Sequence, residues 1–333
     1  GLVGSEMCIR DRYLLAYSFI RNHFDSKKAL GISFFTALLF AIHPVQVETV
    51  CWISASKIVL STFFYLSALI CYIQYMRNSK WQYLLASVVS SILAMGCKEQ
   101  SVIIVPCLLL FDWMLFKRNM RSLKVYIEKV YYLIPAIAIF IVTLVANKNT
   151  GEEIIGYTIV DRFIFLCYSS FKYLLISAIP FKLSYLYPFP FQVGEKIPMA
   201  LWIYPFVILF IGYVIYLNRR KPLLVFCTLF FILHLLPVLH VIPLPRYVVA
   251  ADRYLYIPYI AFAIGLSILS YHLYERQRKW ILYAGFLYCS YLCVYTAGYA
   301  PAWKNSDTLK EHFKEVLKKR ETNLSINFKH EKQ

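Results

Sequence analysis

Charge is scarce in this chain. Only 16% of its 333 residues are Asp, Glu, Lys or Arg, against about a quarter in an ordinary soluble domain. That excludes a soluble globular fold, because 60% of the residues are hydrophobic and the mean hydropathy is +0.57. A surface this apolar needs lipid around it. Paired cysteine motifs are also missing. None of the nine cysteines falls in a C-x-x-C pair or a Cys/His cluster with zinc spacing, so no metal site and no cofactor are expected. Cys71, Cys107, Cys167 and Cys227 lie inside apolar runs. Cys289 and Cys293 share a helix face as small hydrophobes. Short alternating strands are absent, which argues against a membrane β-barrel. No internal repeat is visible.

What fills the chain is long apolar runs, each about the 15–20 residues that cross a hydrocarbon core of about 30 Å. The runs at 29–47, 58–76, 81–97, 102–116, 130–146, 201–217, 223–241, 255–273 and 280–299 read as nine full spans. Backbone polar groups in lipid must be satisfied internally, so each should be a helix. The expected fold is an all-α, polytopic membrane protein. Residues 1–12, GLVGSEMCIRDR, do not match the pattern of the rest of the chain and read as a cloning or assembly scar. Residues 13–20 are then the tail of another span, and the natural N-terminus is expected to be missing. Residues 13–300 form the membrane domain. Residues 301–333 begin a polar helical region, with Ser306 or Asp307 as cap and Leu309, Phe313, Val316 and Leu317 as an apolar stripe.

The net charge of +17 would suggest nucleic acid on a soluble protein. Here the basic residues sit in short loops, where topology accounts for them. RNHFDSKK, YMRNSK, FKRNMRSLKVYIEK, NRRK and ERQRK occupy alternate loops and are expected on the cytoplasmic side. Keeping them there requires Phe163–Ile179 to enter and leave on one face, as an interfacial or re-entrant helix. The opposite loops, on the non-cytoplasmic face, hold most of the unusual residues: His43 and Glu48, Lys98 and Glu99, Asp161 and Arg162, Arg246, and Asp252 with Arg253.

Ionisable residues near membrane depth are costly and usually pair or serve a site. The structural alternatives are specific. His43 before Pro44 ends a helix, Glu48 pairs with Lys57, Lys98 with Glu99 and Asp252 with Arg253. Asp161 caps a helix, and Trp52, Trp113, Trp202, Trp280 and Trp303 form an aromatic belt. The functional reading rests on clustering. Lys98, Arg246 and Arg253 place positive charge on the face where the positive-inside rule disfavours it, which suits a lipid-linked phosphate. Glu48, Glu99 and Asp252 would orient an acceptor or balance charge. Asn323-Leu324-Ser325 fits a glycosylation triplet that is common by chance.

At these loops the chain resembles the transmembrane and tetratricopeptide-repeat O-mannosyltransferases. HPVQVETVCWISASK is similar to that family's H-P-x-H-x-E-x-V-x-W-[VI]-S signature. GCKEQSVIIVPCLLLFDW, LSYLYPFP, ADRYLYIP and AWKNSDTLKEHF come next, in the family's order. The resemblance covers almost the whole chain after Tyr13. It implies a GT-C type helical bundle of about eleven spans with an interfacial helix and the start of a helical repeat tail. It implies transfer of a sugar, usually mannose, from a polyprenyl or dolichyl phosphate to Ser or Thr of a protein acceptor, in the bacterial inner membrane or the endoplasmic reticulum membrane. It further implies that Arg253 and Lys98 hold the lipid phosphate, that His43 and Glu48 line the sugar or acceptor side, and that Tyr187 and the interfacial helix form the pocket wall.

Three departures stand out. The family's catalytic acid lies in a first outer loop that this stretch does not contain, so the fragment is expected to be inactive alone. Gln46 replaces a second His, and Ser56 and Ile58 stand where Arg and Asp are frequent. Two rival functions remain. A non-catalytic scaffold presenting repeats would keep partner capture without the outer-face charges. A lipid or solute transporter would need mid-span ionisable groups and related halves.

Overall fold

The computed structural model describes residues 2–148, 157–184, 187–240, 248–312 and 314, and among these the regular elements are helices. The twelve α-helices are α1 (Leu2–Ile20), α2 (Ser26–Ile42), α3 (Val47–Cys51), α4 (Ser56–Asn78), α5 (Trp81–Cys97), α6 (Ile104–Met114), α7 (Leu123–Lys148), α8 (Ile159–Ala178), α9 (Ile203–Leu217), α10 (Pro222–Leu235), α11 (Pro258–Arg276) and α12 (Arg278–Tyr299). An isolated antiparallel bridge joins Tyr187 to Ala250.

Four helical segments of the described residues are long and apolar enough to cross a membrane: Ile53–Asn78, Leu123–Ala146, Met199–Leu217 and Arg278–Trp303. A fifth span results if Ser26–Ile42 and Pro44–Cys51, bent by 57°, count as one. The nine expected runs therefore do not all become full-length spans. Local chemistry explains the shortening. Pro44 cannot continue α2, so His43 turns extended and Pro44–Gln46 starts a 3-10 turn. Glu99–Ile103 is also 3-10, which leaves α6 only 11 residues. Pro237 lies in the 3-10 turn Leu236–Val238 that closes α10. Pro258 sets the first turn of α11, after the 3-10 turn Asp252–Leu255.

The core lies where α4 packs on α5 and α1, where α2 packs on α1 and α11, and where α11 packs on α10 and α12. Tyr65, Tyr72, Leu66, Leu69 and Ala68 line the inward stripe of α4. By contrast α7, α9 and α12 present long apolar faces outward, as lipid-facing helices must. A tight turn joins α4 to α5, with Ser79 left-handed at φ 55° and its N–H on the Tyr75 carbonyl at 2.8 Å.

Helix α1 runs without a break across position 12, and Asp11 and Arg12 are buried. The Arg12 guanidinium stacks on Phe40 at 4.2 Å and Tyr256 at 4.8 Å.

Helix α8 starts in a capping box. Thr158 Oγ1 accepts from the Asp161 N–H at 3.2 Å, and the Asp161 carboxylate accepts from the Thr158 N–H at 2.7 Å. Asp161 therefore supplies half of the cap, and Thr158 is the N-cap residue. Helix α8 packs on α9 and also meets loop residues. Phe165 packs on Phe189 and Phe191, Tyr173 accepts from the Ala251 N–H at 3.3 Å, and the Ala178 carbonyl accepts from Tyr288 at 2.8 Å.

In the polar tail the cap is Asn305, whose Oδ1 accepts from the N–H groups of Asp307 and Thr308 at 3.1 and 2.8 Å. Ser306 and Asp307 are already inside the helix. Leu309 packs on the core. Phe313, Val316, Leu317 and the 323–325 triplet lie outside the described residues.

Candidate functional site

Glu48 and Arg253 form the centre of the site. They are separated by 205 residues, and two different turns bring them together. Glu48 sits in α3, the short helix after the Pro44 turn, and is fully buried. Arg253 sits in the 3-10 turn before α11. Nη1 of Arg253 lies 2.5 Å from Glu48 Oε1, and the Arg253 N–H donates to Glu48 Oε2 at 2.8 Å. Glu48 thus pairs with Arg253 and not with Lys57, and Arg253 pairs with Glu48 and not with its neighbour Asp252.

Asp252 has a separate partner. Tyr187 donates its hydroxyl to Asp252 Oδ1 at 2.8 Å and accepts from the Ser184 N–H at 3.2 Å. The bridge from Tyr187 to Ala250 fixes this register, with the Val249 N–H on the Tyr187 carbonyl at 2.9 Å. Lys172 of α8 lies 3.9 Å from the centre of the Tyr187 ring. The Trp52 ring meets Arg253 at 5.5 Å and Trp303 at 6.1 Å.

His43 is buried against Tyr259, with ring centres 4.4 Å apart, and its Nδ1 accepts from the Val45 N–H at 3.3 Å. It therefore terminates α2 and caps the next turn at once. Around these groups lie buried polar atoms with no hydrogen-bond partner: Asp252 Oδ2, Thr49 Oγ1, both amide atoms of Gln46, and the Tyr259 hydroxyl. Buried polar groups are ordinarily satisfied, and these five atoms have no hydrogen-bond partner among the described residues.

Burial and the nearby Glu48 carboxylate push the Asp252 carboxyl well above the usual range, against the opposing pull of Tyr187, Lys172 and Arg253. A carboxyl whose folded pKa exceeds its unfolded one favours the fold while protonated. That contribution is complete below the usual carboxylate range and is lost as pH rises through the raised value. Asp252→Asn keeps the acceptor for Tyr187 and removes the titration. Its unfolding temperature relative to the parent is expected to climb as pH rises. Parallel pH curves for the two proteins would show that Asp252 is already ionised in the fold.

Lys98 and Glu99 stand apart. They pair at 2.6 Å beside α5 and α7, and no hydrogen bond or ion pair of the described residues joins them to Glu48 and Arg253. Burial raises the Glu99 carboxyl, but Lys98 and then Lys57 outweigh it and hold it below the ordinary value. Arg246 lies outside the described residues. Trp113, Trp202 and Trp280 are exposed as a lipid-facing belt requires, whereas Trp303 is buried and Trp52 packs in the site.

The sequence reading missed Trp52, Thr49, Lys172 and Tyr259 as site residues. Only Trp52 carried a signal, as the W of the H-P-x-H-x-E-x-V-x-W pattern. It also missed a second charged cluster. Asp112 of α6 is fully buried, with Lys129 of α7 at 2.6 Å, the Tyr72 hydroxyl at 2.6 Å and Arg118 at 3.4 Å. Arg118 also pairs with Glu128 at 2.5 Å. Among the described residues no group of three His, Cys, Asp or Glu side chains is placed to hold a metal ion. Compared with known proteins, the chain matches no family model, no curated protein and no solved structure.

Proposed function

We propose that this chain is part of a GT-C type membrane glycosyltransferase, which moves a sugar from a polyprenyl or dolichyl phosphate to Ser or Thr hydroxyls of a protein on the non-cytoplasmic face. One observation carries the reading. Three separated loops, those of Glu48, Tyr187 and Asp252–Arg253, meet in one buried charged cluster surrounded by unpartnered polar atoms. Three of the motifs that resemble the O-mannosyltransferases, HPVQVETVCWISASK, LSYLYPFP and ADRYLYIP, include these residues. The contacts of α8 with the loops of Phe189, Phe191 and Ala251 support its assignment as the interfacial helix of such an enzyme.

In this reading Arg253 holds the lipid phosphate. Arg253 Nη1 donates to Glu48 Oε1, and the Arg253 side chain keeps 18% of its surface exposed. Guanidinium suits phosphate because its donors form a planar fork, and it stabilises the phosphate as leaving group. Asp252, whose carboxyl burial raises, hydrogen-bonds the sugar or acceptor hydroxyl. His43 and Tyr187 shape the wall. The general base on the acceptor hydroxyl is a carboxylate of the whole enzyme that is not assigned to any residue named above.

The test uses the natural full-length gene product and polyprenyl-phosphate mannose. Arg253→Lys keeps the charge and loses the fork. Turnover is expected to fall about ten- to a hundredfold, the loss of one charged hydrogen bond of about 1.5–3 kcal/mol. Unchanged turnover at unchanged expression would remove Arg253 from the phosphate site. Absence of transfer by the parent protein, with partner capture intact, would favour the scaffold.

A further inference from the structure

A cavity of about 990 Å³ lies between α8, α9, α10 and α11, away from the Glu48–Arg253 cluster. Its walls are almost wholly apolar, from Ile208, Ile211 and Ile215 on α9 to Phe231, Leu235 and Leu269 on α10 and α11. Leu166, Ser170 and Leu174 of α8 close it at the end near the site. At the opposite end the lining changes character, to Arg220, Lys221, His23 and His272. Neither Arg220 nor Lys221 has an ion-pair partner among the described residues.

The space arises from the residues that line it. Gly212 of α9 and Gly265 of α11 both face the cavity. Small residues usually let membrane helices approach closely. Here a Cβ at Gly212 would meet nothing within 4 Å, and one at Gly265 would touch only Cys227 at ordinary contact distance. The two glycines leave volume open instead of bringing helices together. Along α10, 14 residues long, the wall runs about 21 Å. That exceeds the ~15 Å depth of one leaflet, half of a hydrocarbon core of ~30 Å.

We propose that this cavity holds an anionic diacyl glycerophospholipid, its acyl chains against α9, α10 and α11 and its phosphate at Arg220 and Lys221. Charge complementarity selects the occupant. A wholly apolar slot suits any lipid chain, but two cations without ion-pair partners among the described residues, with two histidines at the same mouth, suit a negative headgroup. Basic pockets between membrane helices bind such headgroups. The site is independent of the sugar-transfer reading, since its lining shares no residue with the Glu48–Arg253 cluster and its basic mouth lies at the α9–α10 turn.

The test is native mass spectrometry of the full chain, delipidated and then given equal amounts of phosphatidylglycerol and phosphatidylcholine. One phosphatidylglycerol per chain is expected to be retained, in about tenfold preference. Arg220→Gln with Lys221→Gln should abolish the preference. Arg219→Gln should not, although it removes neighbouring charge, because Arg219 stacks on Tyr216 and is not part of the lining. Gly212→Leu should fill the slot and expel both lipids. The fold should tolerate it, because the new side chain enters empty space, and thermal unfolding checks that. Three outcomes would overturn the proposal: equal retention of the two lipids by the parent; retention that neither Gln nor Leu variants change; or dimers whose formation the Leu variant blocks, which would make a second copy the occupant.

Discussion

Glu48→Gln is expected to destabilise the protein by about 3–5 kcal/mol, the cost of breaking a buried ion pair from one side. Glu48 is fully buried, and it receives both the Arg253 guanidinium and the Arg253 backbone N–H. Removing its charge leaves the guanidinium with Trp52 and Tyr254 as neighbours and no counter-ion. The double variant Glu48→Gln with Arg253→Met should recover most of the loss, because replacing both members of a buried pair with groups of similar volume is often close to neutral. Unfolding by a denaturing detergent, read by circular dichroism, measures both proteins. A single variant within about 1 kcal/mol of the parent, the range of a solvated pair, would mean that the pair is hydrated or open. The cycle also separates stability from chemistry, since the double variant should fold and yet fail in sugar transfer.

Asp112→Ala is expected to cost a similar amount, about 3–5 kcal/mol, for a different reason. Asp112 holds three groups at once: Lys129, the Tyr72 hydroxyl and the Arg118 guanidinium. Without it Lys129 keeps only the Tyr72 hydroxyl and the more distant Glu128 at 3.8 Å. Its ammonium also lies 4.6 Å from the centre of the Tyr72 ring. Burying that ammonium with only a distant carboxylate for counter-ion is costly. Asp112→Asn should cost less, because Tyr72 keeps its acceptor. Equal losses for Ala and Asn would show that charge alone matters, and no loss for Ala would show that Arg118 and Glu128 hold the helices without it.

These two clusters differ in how far the sequence revealed them. The apolar runs were plain from local pattern, and α5 coincides with the expected 81–97. The ends were less so, because Pro44 and Pro237 lie in 3-10 turns that end α2 and α10, and Pro258 sets the first turn of α11. Glu48, Tyr187, Asp252 and Arg253 stood out as charged or patterned residues in apolar surroundings. Their partners did not, because the pairing of Glu48 with Arg253 is made by tertiary structure alone. The Asp112 cluster was invisible as a site. Asp112 sits inside an apolar run, Lys129 was counted among the basic loop residues, and only the packing of α6 on α7 unites them. The division of the runs into spans was the least legible part, since span length depends on where turns fall.

The pairing of Glu48 with Arg253 also sets an order of events in time. The two residues are 205 positions apart, and synthesis proceeds at about 5–20 residues per second. Glu48 therefore emerges about 10–40 s before its counter-ion exists. During that interval an acid destined for full burial sits at the membrane boundary without a partner. The buried site around Glu48 is completed only once the 3-10 turn Asp252–Leu255 has been made. Truncated chains ending before Arg253 should be cleared by proteolysis faster than chains ending just after α11.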